Sequence, residues 1–263
     1  METVSLLGDK HVTPGDVVYY EEGCIPGNGI SVKGQDYVSN VHGLVHRINK
    51  LVCVDPIRSR YSGDVGDVIV GRIASIGQSA WRVDINAKNN AVLQLSSVNL
   101  PDGIQRRRTA DDSLNMKSFF DVNELICAEV QAMSGQSGLQ IHTRNERYGK
   151  LSNGMLLVVH PSLIKRCKSH ISFFNCGVKF ICGMNGFIFI TFGKEPEKTN
   201  AHFEKLSRVA NCVRILQDKS MLINGFIVEH LYEMTVKMGI PVSDMLLKKQ
   251  QEVIVSQYME EMS

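Results

Sequence analysis

The stretch DVIVGRIASIGQSAWRVDIN, residues 67–86, decides the fold of the central part of this chain. Trp81, Val83 and Ile85 alternate with polar residues, and this period of two predicts a strand that buries one face. The apolar segment before it contains Gly71, and a glycine inside a strand of a small barrel often permits a bend or a bulge. The stretch therefore predicts two consecutive strands of a barrel.

Three more strand-like segments follow this stretch, at 91–95, 124–133 and 138–143. Five strands with a long insertion between the third and the fourth match an OB-fold, which is a five-stranded Greek-key barrel. The insertion, 97–122, contains turn residues, three consecutive arginines and a predicted short helix over 110–120.

The first 60 residues predict a small β domain. Segments 17–20, 38–45 and 51–54 are strand-like, and glycine-rich turns separate them. The GNG cluster at 27–29 lacks the G-x-G-x-x-G spacing, and no clear helix follows it, so it is not predicted to bind a nucleotide.

The pattern changes after residue 150. Segment 155–160 predicts a strand, and the apolar segments 178–182 and 187–192 predict two more. The turn between these two, Gly183-Met184-Asn185-Gly186, contains Asn-Gly, which is a strong signal for a β-hairpin because both residues tolerate positive φ.

Helices are predicted for the last part of the chain. Apolar residues three and four positions apart predict helices over 203–216 and 222–234, and Ser243 is predicted to cap a final helix. The fold class is therefore mixed and multidomain: a β-rich domain over 1–62, a five-stranded OB-fold barrel over 63–150, and an α/β domain with C-terminal helices over 151–263.

Composition excludes several classes of protein. Of 263 residues, 43% are hydrophobic and 21% are charged, which is ordinary for a globular chain and excludes a wholly disordered, collagen-like or coiled-coil protein. No apolar run approaches the roughly 18 residues that a membrane span needs, and the N-terminus lacks the apolar region of a signal peptide. We therefore expect no membrane partner.

The seven cysteines form no C-x-x-C pair. Without an export signal they are expected to be reduced thiols that fill the core, and neither a metal site nor a cofactor is predicted.

Charge is distributed unevenly, although the net charge is only +2. Residues 152–193 contain four basic residues and no acidic one. This segment is either a small positive face for phosphate groups or a buried, strand-rich region with little room for charge.

Single-stranded RNA is held by basic grooves and by aromatic faces that stack on bases, and the sequence contains candidates for both features. The candidate RNA-binding residues are Trp81, Arg106, Arg107, Arg108, Arg144, Arg147, Lys150, Lys165, Arg166, Lys168, Gly183, Asn185 and Gly186. Each has a plainer alternative: Trp81 as a core residue, the basic residues as solvated charges, and Gly183–Gly186 as a structural hairpin. In an ordinary KH domain a G-x-x-G loop joins two helices and clamps the RNA backbone, whereas here the flanking segments are strands.

Enzyme motifs are absent from the sequence. There is no G-x-S-x-G, H-E-x-x-H or P-loop. Asp64 with Asp67, and Asp111 with Asp112, are the only close aspartate pairs that could bind a metal, and we expect them to be solvated.

Several local runs are those of a known family. They include PGD at 14–16, VHRINKLVCV at 45–54, RYSGDVGD at 60–67, GRI at 71–73, LSS at 95–97, NLP at 99–101, RRR at 106–108, AEVQA at 128–132, HTR at 142–144, YGKL at 148–151 and PSLIKR at 161–166. With the predicted order of domains, the chain resembles a cap subunit of the RNA exosome, of the ribosomal RNA-processing protein 4 type. The resemblance extends in order from about residue 11 to 192.

This resemblance implies an N-terminal β domain, an S1-type OB-fold and a KH-like domain. It implies a non-catalytic, RNA-binding subunit that stabilises a ring of RNase PH-like proteins, contacts other cap subunits, and guides single-stranded RNA into the pore for 3′–5′ processing and degradation. The implied location is the nucleus, including the nucleolus, and the cytoplasm. Two alternatives stay open: an S1/KH protein that acts outside the exosome, and a ribonuclease.

Overall fold

The structure is a computed structural model, and it describes residues 10–18, 23–99, 110–134, 138–192 and 199–262. It divides into two compact units, the first ending at Ser59 and the second beginning at Arg60.

The first unit contains two small sheets. Its strands are β1 (His11–Val12), β2 (Val17–Val18), β3 (Ile25–Pro26), β4 (Ile30–Lys33), β5 (Asp36–Ser39), β6 (Gly43–Ile48) and β7 (Leu51–Pro56). One sheet has the order β1-β6-β7-β3 and the other the order β2-β5-β4. Val18, Val45 and Val54 lie in the shared core, which confirms a β-rich N-terminal region.

The second unit begins with a closed barrel. Its strands are β8 (Val68–Ile76), β9 (Ala80–Asp84), β10 (Ala91–Val98), β11 (Leu125–Ser134) and β12 (Gly138–Thr143). They pair in the order β8-β9-β10-β12-β11, and β11 pairs again with β8, which closes the barrel and confirms the OB-fold. A short strand, β13 (Gly149–Leu151), adds to β11.

Gly71 does not have the role that the sequence suggested. The irregularity in the pairing of β8 with β9 lies between Ile73 and Ser75 and not at Gly71. A Cβ atom at Gly71 would lie 2.5 Å from Cγ1 of Val83. The glycine is therefore required by the close packing of the neighbouring strand and not by a bend.

The described part of the insertion between β10 and β11 contains two short helices, α1 (Ala110–Leu114) and α2 (Met116–Phe119), in place of the single helix predicted over 110–120. Met116 and Phe120 join the barrel core. This part of the insertion therefore covers one end of the apolar interior.

The remainder of the second unit is a four-stranded antiparallel sheet with helices. The strands are β14 (Gly154–Val158), β15 (Ile171–Phe173), β16 (Lys179–Cys182) and β17 (Phe187–Thr191), in the order β14-β17-β16-β15, with a 3₁₀ turn at Pro161–Leu163. The predicted hairpin of β16 and β17 is confirmed. Strand β15 was not predicted from the sequence.

Three helices end the chain: α3 (Asn200–Asp218), α4 (Gly225–Lys237) and α5 (Lys248–Met262). Thr199 and His202 form a capping box at the start of α3, and the side chain of Asn224 accepts a hydrogen bond from the Ile227 amide at the start of α4. The predicted cap at Ser243 is wrong. Its hydroxyl donates to Asp244, and turns occupy the segment from Ser243 to the start of α5 five residues later.

The two faces of this sheet have different partners. Phe180 and Ile190 pack against the helices, through residues such as Val213. Ile181, Phe187 and Phe189 instead pack against Val70 of β8 and Cys127 of β11 in the barrel. The barrel and the sheet therefore share an apolar core, and this contact creates the cleft described next.

Candidate nucleic-acid interface

The turn Gly183–Gly186 lies at the contact between the sheet and the barrel. The Asn185 amide nitrogen donates to the carbonyls of Val70, at 2.7 Å, and Ile85, at 2.9 Å. Its amide oxygen accepts from the Val70 N–H at 3.4 Å, and Asn86 donates to the Asn185 carbonyl at 3.1 Å. The Asn185 side chain is completely buried, so its hydrogen bonds join the two parts of the unit.

Gly183, Asn185 and Gly186, which the sequence offered as RNA contacts, therefore have the arrangement expected of the structural hairpin. All three residues are buried. Gly186 has a φ of 84°, and a Cβ there would lie 2.3 Å from the Val159 carbonyl oxygen. The Asn-Gly pair correctly predicted the hairpin, but the sequence carried no signal that the turn inserts against β8.

Trp81, the residue predicted to stack on RNA, has the position expected of its alternative, a core residue. Its side chain is completely buried in the barrel, and the indole N–H donates to the Phe120 carbonyl at 3.0 Å. The rings of Phe119 and Phe120 contact it edge-on, with centroids 6.4 and 5.5 Å away. The face that alternation marked as apolar is covered by the insertion, so no base can reach the indole.

Three predicted basic residues instead meet in a cleft of about 310 Å³ between the barrel and the sheet. Arg147 comes from the segment that follows β12, and Arg166 and Lys168 come from the segment before β15. The cleft is also lined by Asp67, Glu129, Tyr148, Cys167, His170 and Ile171. The fold therefore brings together cations that the sequence places about 20 residues apart.

Arg166 is held by two carboxylates. Its guanidinium donates to Asp64 at 2.9 Å and to Asp67 at 2.7 Å. Asp67 is only 5% exposed, and it also accepts from the Tyr61 hydroxyl at 2.9 Å and the Asp64 amide at 3.0 Å. Burial and this hydrogen bond raise the pKa of Tyr61 well above its usual value. Asp67 is thus an anchor for Arg166 and not a solvated carboxylate.

Replacing Asp67 with alanine is expected to lower the free energy of unfolding by about 2–3 kcal/mol, because the buried Tyr61 hydroxyl and the Asp64 amide lose their acceptor. Asp64 is the matched control: it binds the same guanidinium but is 67% exposed. Asp64→Ala should cost no more than about 0.5 kcal/mol. Urea unfolding of both variants and the wild type measures the difference, and equal losses would contradict the anchoring role of Asp67.

Arg147 and Lys168 differ from Arg166 in that no carboxylate holds either side chain in an ion pair. Both are exposed, and among the described residues neither side chain makes a hydrogen bond or an ion pair. Glu129, the other acid of the cleft, accepts from the Tyr148 hydroxyl at 2.8 Å. Burial lowers the pKa of His170, which favours its neutral form. The cations of the cleft that no ion pair holds are therefore Arg147 and Lys168, and the Glu129 carboxylate is the remaining negative charge beside them.

The other predicted basic residues lie outside this cleft. Arg144 is exposed, and its carbonyl accepts a hydrogen bond from Asn99, the residue that precedes the undescribed part of the insertion. Lys150 pairs with Glu124, and Lys165 is exposed beside Ile223. Residues 106–108, the three predicted arginines Arg106, Arg107 and Arg108, lie outside the described residues.

An exposed aromatic residue escaped the sequence analysis. Phe173, on the edge strand β15, is 74% exposed, and the Lys179 ammonium lies 5.7 Å from the centre of its ring. The signal in the sequence was weak, because Phe173 is followed directly by a second phenylalanine, Phe174, which is buried.

Within the described part of the chain, no group of three or more His, Cys, Asp or Glu side chains is arranged to bind a metal ion. No described helix is both long enough and apolar enough to cross a membrane. The seven cysteines are free thiols, and burial raises the pKa of Cys127, Cys182 and Cys212 to about 12.

Comparison with known families identifies the class of protein to which the second unit belongs. Residues 60–132 match the S1 domain of RRP4, and residues 154–195 match the KH domain. The second unit thus combines an S1-type barrel with a KH domain, as the resemblance had implied.

Relatives from animals, fungi and plants define the family. The chain is 39% identical to exosome complex component RRP4 of Mus musculus over 246 residues, which cover 88% of this chain and 84% of the relative. It is 37% identical to the Schizosaccharomyces pombe component, covering 84% and 75%, and 34% identical to the Arabidopsis thaliana homologue, covering 89% and 81%. The chain belongs to the RRP4 family of exosome complex components.

Proposed function

We propose that this chain is a non-catalytic, RNA-binding cap subunit of the RNA exosome. It would stabilise the RNase PH-like ring, contact the other cap subunits and guide single-stranded RNA into the pore for 3′–5′ processing and degradation. Membership of the RRP4 family supports the association with the exosome. The observation that carries RNA binding is the cleft in which Arg147 and Lys168 present exposed cationic side chains that no ion pair holds.

The cleft suits the backbone of a single strand. Phosphate groups are bound through cations placed along a groove, and such contacts tolerate any base sequence. Arg147 and Lys168 are the proposed phosphate contacts, whereas Arg166 acts mainly by holding the segment of Lys168 in place through its bonds to Asp67. Arg144, Lys150 and Lys165, and the arginines at 106–108, are proposed as further contacts along the path of the strand.

The proposal of a non-catalytic role rests on the carboxylates. The Asp64–Asp67 pair, which would be the natural choice for a metal, binds Arg166 and Tyr61 instead. A magnesium-dependent nuclease needs carboxylates that are free to coordinate the ion. The proposed subunit works in the nucleus, including the nucleolus, and in the cytoplasm, where its ring is present.

Affinity purification of the tagged chain tests this function. We expect RNase PH-like subunits to be isolated with it in equal amounts, and the isolated chain to leave labelled single-stranded RNA intact with either magnesium or phosphate. A chain isolated without the ring would instead be an S1/KH protein that acts elsewhere. Degradation that follows the protein peak and is lost in Asp64→Asn or Asp67→Asn would show a nuclease.

A further inference from the structure

The exposed residue Phe173 lies on the same strand face as the cleft wall. Side chains two positions apart on a strand point to the same face and are about 7 Å apart. Ile171 lines the cleft, and Phe173 is two positions further along β15. Since β15 is at the edge of its sheet, Phe173 continues the cleft wall outward into solvent.

A cation accompanies this ring. Lys179 is directly opposite Phe173 in the pairing of β15 with β16, and its ammonium lies 5.7 Å from the ring centre. An ammonium at this distance is attracted to the aromatic face. The pair therefore presents a flat apolar surface next to a positive charge.

The surroundings of this pair favour an anionic partner. The segment 152–193, which contains Phe173, Lys179 and Lys168, has no acidic residue. Arg147 and Lys168 of the adjoining cleft form no ion pair among the described residues, although the Glu129 carboxylate lines the same cleft. An aromatic ring with several cations and no nearby acid from its own segment is suited to a nucleotide more than to an apolar protein surface.

We infer that Phe173 and Lys179 form a binding site for one nucleotide of single-stranded RNA at the outer end of the cleft. The base stacks on the exposed ring of Phe173, Lys179 binds the adjacent phosphate, and the next phosphates pass over Arg147 and Lys168. The site rests on the proposed function, because the RNA is supplied by the exosome. It gives the KH domain an RNA contact that does not use the buried G-x-N-G turn.

Phe173→Ala is expected to weaken binding of a fluorescent oligouridylate to the assembled complex about tenfold, because one stacking contact is lost. Phe226→Ala is the matched control. Phe226 is 71% exposed, which is close to the exposure of Phe173, and it does not line the cleft. It lies on α4, on the opposite side of the sheet. Its replacement should leave the affinity unchanged, and Phe173→Trp should preserve it.

Two further measurements separate stacking from charge. An oligonucleotide without bases should bind the wild type and Phe173→Ala equally, since nothing remains to stack. Lys179→Ala should lower the slope of log affinity against log salt concentration by about 0.7, the value for one phosphate contact on a single strand. Lys179→Arg should retain the wild-type slope.

The outcomes distinguish a failure of the nucleotide site from a failure of the proposed function. If the wild-type complex binds RNA and Phe173→Ala binds it as tightly as Phe226→Ala does, the nucleotide site is wrong and the proposed function stands. If Phe173→Ala releases the chain from the ring, the residue docks a protein, and the inference is overturned. If the wild-type chain neither joins a ring nor binds RNA, the proposed function itself fails, and the site fails with it.

Discussion

Replacing Asn185 with alanine is expected to lower the free energy of unfolding of the second unit by about 3 kcal/mol or more. The change removes the partners of two buried carbonyls and one amide, at Val70 and Ile85, and an unsatisfied buried polar group costs about 1–3 kcal/mol. Thermal unfolding followed by circular dichroism measures the loss. For a domain of this size, 1 kcal/mol corresponds to roughly 2–4 °C in Tm.

Asn185→Asp sharpens this test because it keeps the shape of the side chain. The aspartate has no N–H to donate, and it would place a carboxylate against the Val70 and Ile85 carbonyls, so its cost should be at least that of alanine. Asn90→Ala, at an exposed position between β9 and β10, is the control and should leave the Tm unchanged. A stable Asn185→Asp variant with weakened RNA binding would restore the turn as an RNA clamp.

Trp81→Ala is expected to cost about 3–5 kcal/mol, because it empties the largest fully buried site in the barrel. The indole hydrogen bond to Phe120, and with it the attachment of the insertion, is lost as well. Arg82→Ala is the neighbouring control. Arg82 is exposed on the opposite face of β9, and its removal should shift the Tm by no more than a surface change does.

The single tryptophan also reports directly on its surroundings. A completely buried indole should emit at short wavelength, resist quenching by iodide, and keep its emission when RNA is added. Quenching of Trp81 by oligouridylate would contradict its position in the core and support stacking on a base.

At two positions, a residue that the sequence offered for RNA binding makes a structural contact instead. Trp81 and Asn185 both carry chemistry that RNA-binding domains use, and both are buried against another segment of the same unit. Among the described residues, the surface that we propose for RNA is centred on the cleft of Arg147 and Lys168 and its extension at Phe173. The barrel and the KH domain create this surface jointly, because their apolar contact fixes the two walls relative to one another.

Much of the fold was determined by local patterns in the sequence. The alternation around Trp81 and Val83 predicts β9, because side chains of a strand point to opposite faces in turn. Asn185-Gly186 predicts the hairpin, because a tight turn needs residues that tolerate positive φ. The motifs from residue 11 to 192 pointed to the family, and the relatives confirm it. These signals need no knowledge of distant contacts.

Which segments pack against these residues was decided by the tertiary structure alone. Trp81 is buried because α2, almost 40 residues away in sequence, packs over it, and Asn185 is buried because its turn meets Val70, 115 residues away. Arg166 and Asp67 form their ion pair across 99 residues. An alternation with a period of two shows that one face of a strand is apolar, and a run of basic residues shows where cations lie. Neither pattern predicts which residues pack against that face or pair with those cations. The free energy of burial and of ion pairing depends on neighbours that only the folded chain brings together.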